Sequence, residues 1–123
     1  MTDDVFVYDT YAIIEVIEGN EKYEPYLDKQ IIINDFIFAE ICYTFIRKKY
    51  PNAYVYLDKY KAFILEINPE MIENAMVFRY KNKDKELSMT DCISYIQAKE
   101  LGIKFLIGDK EFENMENVEF VKK

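Results

Sequence analysis

Val5-Phe6-Val7-Tyr8 runs without a charged or small polar residue into Asp9-Thr10, and from Tyr11 the apolar residues switch to a helical period. A short continuous apolar run of strand formers suits a strand buried on both faces of a parallel sheet. Asp9 then stands at the C-terminal end of that strand, the edge at which open α/β sheets place their ligands. The same pattern returns along the chain. Residues 30–34 carry Ile31-Ile32-Ile33 and meet Asp35, and residues 62–67 make a third strand candidate. Lys104–Ile107 makes a fourth and meets Gly108-Asp109, and a last strand lies near residues 118–121.

Helical patterns fill the intervals. Ala12, Ile13, Val16 and Ile17 form a stripe stopped by Gly19-Asn20, and a short charged helix is expected over residues 21–28. Residues 36–50 form the most apolar helix, ended by Pro51, and Ala53–Lys61 reads as another, rich in tyrosine. Asn68-Pro69-Glu70 is a helix start, with a cap residue, a proline at the first helical position and an acid in the first turn. That helix runs to about Tyr80, and a further one opens at Ser88 and closes at Leu101-Gly102. Strands alternating with helices predict a parallel α/β sheet with helices on both faces. At 123 residues, with no internal repeat or linker, residues 1–123 are expected to form a single domain.

Composition narrows the chemistry. The chain has no histidine, which excludes Ser-His-Asp and Cys-His catalysis, His-ligated zinc and imidazole acid–base steps. Cys42 and Cys92 stand alone in apolar helical patterns and are expected to be buried structural thiols. Any hydrolytic chemistry must therefore rest on carboxylates with a hard cation held through oxygen. A net charge of −7 argues against nonspecific binding to DNA or anionic membranes. The longest apolar stretch, residues 36–46, is too short to span a bilayer and is broken by Glu40 and Thr44. Residues 1–4 lack the basic start of a signal peptide, so a cytoplasmic location without membrane attachment is expected.

Asp9 and Asp109 each follow an apolar strand directly, so both belong to the same end of a parallel sheet. Asp91 lies in the first turn of the helix that feeds Lys104–Ile107, and Glu40 is the only charged residue in residues 36–46. A carboxylate in such surroundings is costly to bury unless a cation or strong donors meet it. Several carboxylates in one pocket repel one another, and Mg²⁺ or Mn²⁺ relieves the repulsion while keeping most of its waters. Each acid also has an ordinary structural role. Asp9 and Asp109 suit helix caps, and Ser88-Met89-Thr90-Asp91 fits a capping box. Glu40 could share an exposed stripe with Thr44 and Arg47. Asp35 has the same strand-end placement and ranks below the other acids.

The order and spacing of four segments carry a resemblance. They are Val7-Tyr8-Asp9-Thr10-Tyr11-Ala12-Ile13, Phe38-Ala39-Glu40-Ile41, Ser88-Met89-Thr90-Asp91-Cys92-Ile93 and Phe105-Leu106-Ile107-Gly108-Asp109-Lys110-Glu111-Phe112. The chain resembles, over nearly its whole length, a PIN domain, the nuclease fold of VapC-type toxins. The resemblance implies a three-layer α/β/α architecture around a central parallel five-stranded sheet ordered 3-2-1-4-5. It casts Asp9, Glu40, Asp91 and Asp109 as an acidic quartet binding Mg²⁺ or Mn²⁺, with Thr10 and Ser88 as neighbouring hydroxyls. It further implies cleavage of single-stranded RNA, a homodimer, and often an antitoxin that inserts into the site. Where relatives commonly carry Thr or Ser, this chain has Gly108, so a hydroxyl is missing beside the fourth acid. The mechanism these acids predict is in-line attack on phosphorus by water activated at the metal, leaving a 5′-phosphate and a 3′-hydroxyl.

Residues 79–85 hold the one basic cluster, with Arg79, Lys81, Lys83 and Lys85 leading into Ser88; it could guide a phosphate backbone or remain a solvated loop. Tyr50, Tyr54, Tyr56 and Tyr60 could stack on bases, although packing or a dimer interface suits them better. Two alternatives to a ribonuclease toxin stay open: a non-catalytic PIN-like binding module, and an RNA-processing nuclease with no antitoxin. A receiver domain would want paired acids at the first strand end, and a haloacid-dehalogenase-type phosphatase would want an acid at Tyr11.

Overall fold

Successive side chains of a strand point to opposite faces, so a strand buried at consecutive residues is covered on both sides. In the computed structural model, which describes residues 2–123, this holds for β1 (Val5–Tyr8) and β3 (Lys104–Ile107). Val7, Tyr8, Phe105, Leu106 and Ile107 are all fully buried. β2 (Gln30–Ile32) and β4 (Val118–Phe120) flank them, and all pairings are parallel in the order β2-β1-β3-β4. The helices that close the layers are α1 (Thr10–Glu18), α2 (Asp35–Arg47), α3 (Ala53–Lys61), α4 (Pro69–Lys81) and α5 (Met89–Leu101). The expected three-layer α/β/α class is the one observed, with β1 and β3 at its centre.

The sheet has four strands rather than five. Residues 62–67, expected as a strand, make one parallel bridge, Ile33 with Ile64. Ile33 donates to the Phe63 carbonyl at 3.0 Å and Leu65 donates to the Ile33 carbonyl at 2.9 Å. The ladder stops there because Asn34, the next residue of the partner, already caps α2, and the Leu65 carbonyl is taken by the Gln97 side chain at 3.3 Å. The remnant lies beside β2, where the third strand of the expected order would lie. Residues 21–28 likewise tighten to a 3₁₀ segment, Glu21–Tyr26, that contains Pro25.

Asp35 does not cap α2. Asn34 does, accepting from the Phe36 and Ile37 N–H groups at 3.0 and 2.9 Å. Its amide donates to Ser94 Oγ at 3.0 Å and Gln97 Oε1 at 2.9 Å, both on α5, and all three side chains are fully buried. A polar residue so enclosed is tolerable because its hydrogen-bonding capacity is met. This network ties the start of α2, which carries Glu40, to the helix that carries Asp91. Of the two thiols, Cys92 is buried and Cys42 half-buried, and both are free.

The expected caps hold elsewhere. Gly19 and Gly102 adopt φ of 79° and 71° at the ends of α1 and α5, a conformation glycine takes without steric cost. Gly108 has a different reason. A Cβ there would stand 2.6 Å from the Val121 carbonyl oxygen and 2.9 Å from Lys123 Cγ. The segment after β4 crosses over Gly108, held by the Val121 N–H on the Ile107 carbonyl at 3.0 Å. Gly108→Ala is therefore expected to cost about 1–3 kcal/mol through overpacking, read as a lower urea midpoint at unchanged slope.

Candidate functional site

The C-terminal end of β1 opens on a cavity of about 320 Å³. Asp9, Thr10, Glu40, Ser88 and Asp91 line it, together with Arg47, Lys48 and Lys123. Asp9 follows β1 directly and caps α1, its Oδ1 accepting from the Ala12 N–H at 2.7 Å. It is only 5% exposed. Glu40, from the middle of α2, accepts a 2.6 Å hydrogen bond from the Thr10 hydroxyl. Ser88 caps α5, its Oγ accepting from the Asp91 N–H at 3.0 Å, so the capping box and the cavity use the same residues. Thr44 and Arg47 line the cavity with Glu40, so the stripe that could have been plain solvated surface faces this opening.

Asp109 is placed differently. It caps the 3₁₀ turn Lys110–Phe112, accepting from the Glu111 N–H at 3.0 Å. It lines a neighbouring cavity of about 490 Å³ with Gly108, Lys110 and Lys122 rather than the one that holds the other three acids. Lys123 lines both.

The electrostatics follow from this crowding. Burial pushes the Asp9 carboxyl up to about 8, and the charges of Asp91 and Glu40 add to the rise. The Ala12 N–H and the Lys123 ammonium oppose it. Asp91 is pushed up to about 6, again chiefly by burial, with Glu40 and Asp109 contributing and Ser88 and Lys123 opposing. Two acids in one cavity are thus held above the ordinary carboxylate range, chiefly by burial and secondarily by one another's charge.

An all-oxygen donor set of this kind suits a hard divalent cation. Among the described residues no three acid or thiol groups stand close enough to enclose an ion by themselves. The fit is to an ion held by one or two carboxylates and otherwise by water, as Mg²⁺ or Mn²⁺ commonly is.

Sequence reasoning did not reach several residues here. Lys123 lies with its ammonium 4.7 Å from the centre of the Tyr11 ring. Tyr23 is buried, and its hydroxyl is without a hydrogen-bond partner among the described residues. Burial raises its phenol above the ordinary range, and the Asp9 charge adds to the rise. Neither residue belongs to a local motif; tertiary packing alone brings them to Asp9.

A family model for the PIN domain matches residues 6–118. The chain belongs to the PIN domain family. Among solved structures, a toxin–antitoxin complex from Klebsiella pneumoniae superimposes with a TM-score of 0.80 at 20% identity, covering 96% of this chain and 98% of that one. The Mycobacterium tuberculosis toxin VapC20, described as cleaving the sarcin–ricin loop, gives 0.71 at 16% identity, covering 93% and 98%. At these identities the two structures establish a shared PIN fold. No curated protein matches the chain. Within the PIN frame, Asp9, Glu40 and Asp91 converge on one cavity at the sheet edge where the strand-end acids were expected.

Proposed function

We propose that the protein is a metal-dependent endoribonuclease acting on single-stranded RNA, and the toxin of a toxin–antitoxin pair. The observation that supports this most is the cavity in which Asp9, Glu40 and Asp91 meet at the carboxyl edge of the sheet. One or two of Asp9, Asp91 and Glu40 would hold Mg²⁺ or Mn²⁺ directly, with water completing its shell. Bound there, the ion would activate water and offset charge at a phosphodiester. The chain's own contribution is orientation: the α1 cap fixes Asp9, the Thr10 hydroxyl holds Glu40, and Ser88 steadies Asp91. Arg47 and Lys48 at the same opening suit the substrate's phosphates. Asp109 enters as a more distant acid whose charge acts on Asp91.

The discriminating measurement is cleavage of a single-stranded oligoribonucleotide with Mn²⁺ or Mg²⁺ against the same reaction in excess EDTA. Cleavage confined to the metal-containing reaction is expected; equal cleavage in EDTA would sink the metal-dependent proposal. A non-catalytic PIN module would bind the ion without cleaving.

The basic segment supports the choice of substrate. Replacing Lys81, Lys83 and Lys85 together by Ala is expected to weaken RNA binding about tenfold or more at low salt and to flatten its salt dependence. An unchanged salt slope would remove the segment from the RNA path. An antitoxin partner belongs to the proposal because one structural relative is a toxin–antitoxin complex. A homodimer does too, since Tyr43 and Ile46 of α2 and Tyr54 and Val55 of α3 leave apolar surface exposed. The rest of the tyrosine group packs inward: Tyr60 is buried and Tyr50 stacks on Phe45 at 4.7 Å. No helix among the described residues is long and apolar enough to cross a membrane.

A further inference from the structure

A cavity of about 630 Å³ lies between the end of α4 and the segment leading into α5. Arg79, Tyr80, Lys83 and Lys85 line it, over apolar surface from Met76 and Leu87. Three cations against a single acid, Glu86, make it a positive pocket on a chain of net charge −7. It meets the acid cavity at Ser88, which lines both. Tyr80 is 69% exposed, and the Lys83 ammonium sits 4.4 Å from the centre of its ring and 3.3 Å from its hydroxyl. Arg79 is anchored by a 3.1 Å hydrogen bond from Nε to the Leu87 carbonyl, which fixes one edge of its guanidinium and leaves the other nitrogens free to donate.

We infer that this cavity is a nucleotide subsite for single-stranded RNA, with Tyr80 as the platform for one unstacked base and Arg79, Lys83 and Lys85 as the cradle for its phosphates. The inference rests on the ribonuclease proposal above and names where the strand lies as it leaves the acid cavity. Base and phosphate need an aromatic face beside fixed cations, and this pocket supplies both within two turns of helix and a loop. In the free protein Lys83 lies against the ring of Tyr80; a base takes over that face while the ammonium turns to the phosphate. The continuity through Ser88 places the platform next to the cavity of Asp9 and Asp91. Lys81 does not line the pocket and is not part of the subsite.

The test is binding of a 5′-fluorescein-labelled single-stranded oligoribonucleotide in EDTA, so that affinity is measured without cleavage. Tyr80 is exposed, and its variants are expected to melt with the wild type. Tyr80→Ala should weaken binding about tenfold, whereas Tyr80→Phe should stay within about twofold. In a series of oligonucleotides with one abasic position moved along the strand, one position should erase the difference between wild type and Tyr80→Ala. Wild-type affinity in Tyr80→Ala, or a difference that no abasic position erases, overturns the subsite while the nuclease proposal stands on its own metal test. The same holds if Tyr80→Ala impairs capture of an antitoxin peptide and leaves RNA binding unchanged. Absence of RNA binding by the wild type at low salt overturns the subsite, and the metal-dependent cleavage test decides the nuclease proposal separately.

Discussion

Asp9→Asn is expected to cripple metal-dependent RNA cleavage and, in the same protein, to raise the melting temperature without metal at pH 8. Asn is as good a helix cap as Asp, so the Ala12 N–H keeps its partner and α1 keeps its start. What disappears is a buried charge. In the folded protein the Asp9 carboxyl sits near 8, against an ordinary value of 3.8. Between those two pH values the folded state holds a proton that the unfolded chain has released, so stability falls as pH rises through that window. Asp91, pushed up to about 6, acts in the same direction over a narrower range. The Asn variant escapes the first of these losses. A gain on the order of 2 kcal/mol at pH 8, roughly 5–10 °C, is expected, shrinking towards zero near pH 4. Mn²⁺ should restore the wild type at pH 8 and leave the variant unmoved. Cleavage should fall by about 10²–10³-fold, the scale on which preorganised sites lose activity when one polar group is removed. Thermal melts from pH 5 to 8.5, with and without Mn²⁺, give the first half of the result, and single-turnover cleavage gives the second. A wild-type melting temperature that stays flat across that range would refute the electrostatic account.

Asn34→Ala should be the most damaging substitution to stability outside the apolar core, at about 3 kcal/mol. The loss has two parts. The cap on α2 is worth about 1 kcal/mol. The rest comes from Ser94 and Gln97, which would be left in a dry interior with their bonds to Asn34 unmade. Because Gln97 also holds the Leu65 carbonyl, the remnant of the fifth strand should loosen with it. Urea denaturation reads the total, and hydrogen exchange at Leu65 reads the local part. Adding Ser94→Ala and Gln97→Leu should recover a portion of the stability, since it removes the two buried side-chain groups left unpaired, although the α2 cap and the partner of the Leu65 carbonyl stay lost. If the triple variant is no more stable than Asn34→Ala alone, the buried network is not what makes the position sensitive.

The elements that sequence reasoning found are those whose signal is local. Val5–Tyr8 and Lys104–Ile107 are continuous apolar runs because both faces are covered, and Gly19, Asn68, Ser88 and Gly102 mark helix ends by their own backbone chemistry. Asp9 and Asp91 are legible because a strand end and a helix start fix the edge they occupy, whereas Glu40, in the middle of α2, joins them only through the resemblance. Residues 62–67 have strand composition, but a strand needs a partner, and the partner's ladder ends when Asn34 turns into a helix. The α2 cap falls on Asn34 rather than on the strand-end acid Asp35, a difference of one residue of register. The offset of Asp109 and the arrival of Lys123 depend on how the last residues cross the sheet edge, and no spacing in the sequence encodes that path.

That crossing makes two parts of the chain mutually dependent in evolution. A threonine or serine at position 108 would be penalised while the Val121 carbonyl and Lys123 lie over Gly108. A prior rerouting of the terminal segment would remove that penalty. The same hydroxyl substitution should therefore cost more stability in this background than in one whose terminal segment runs elsewhere.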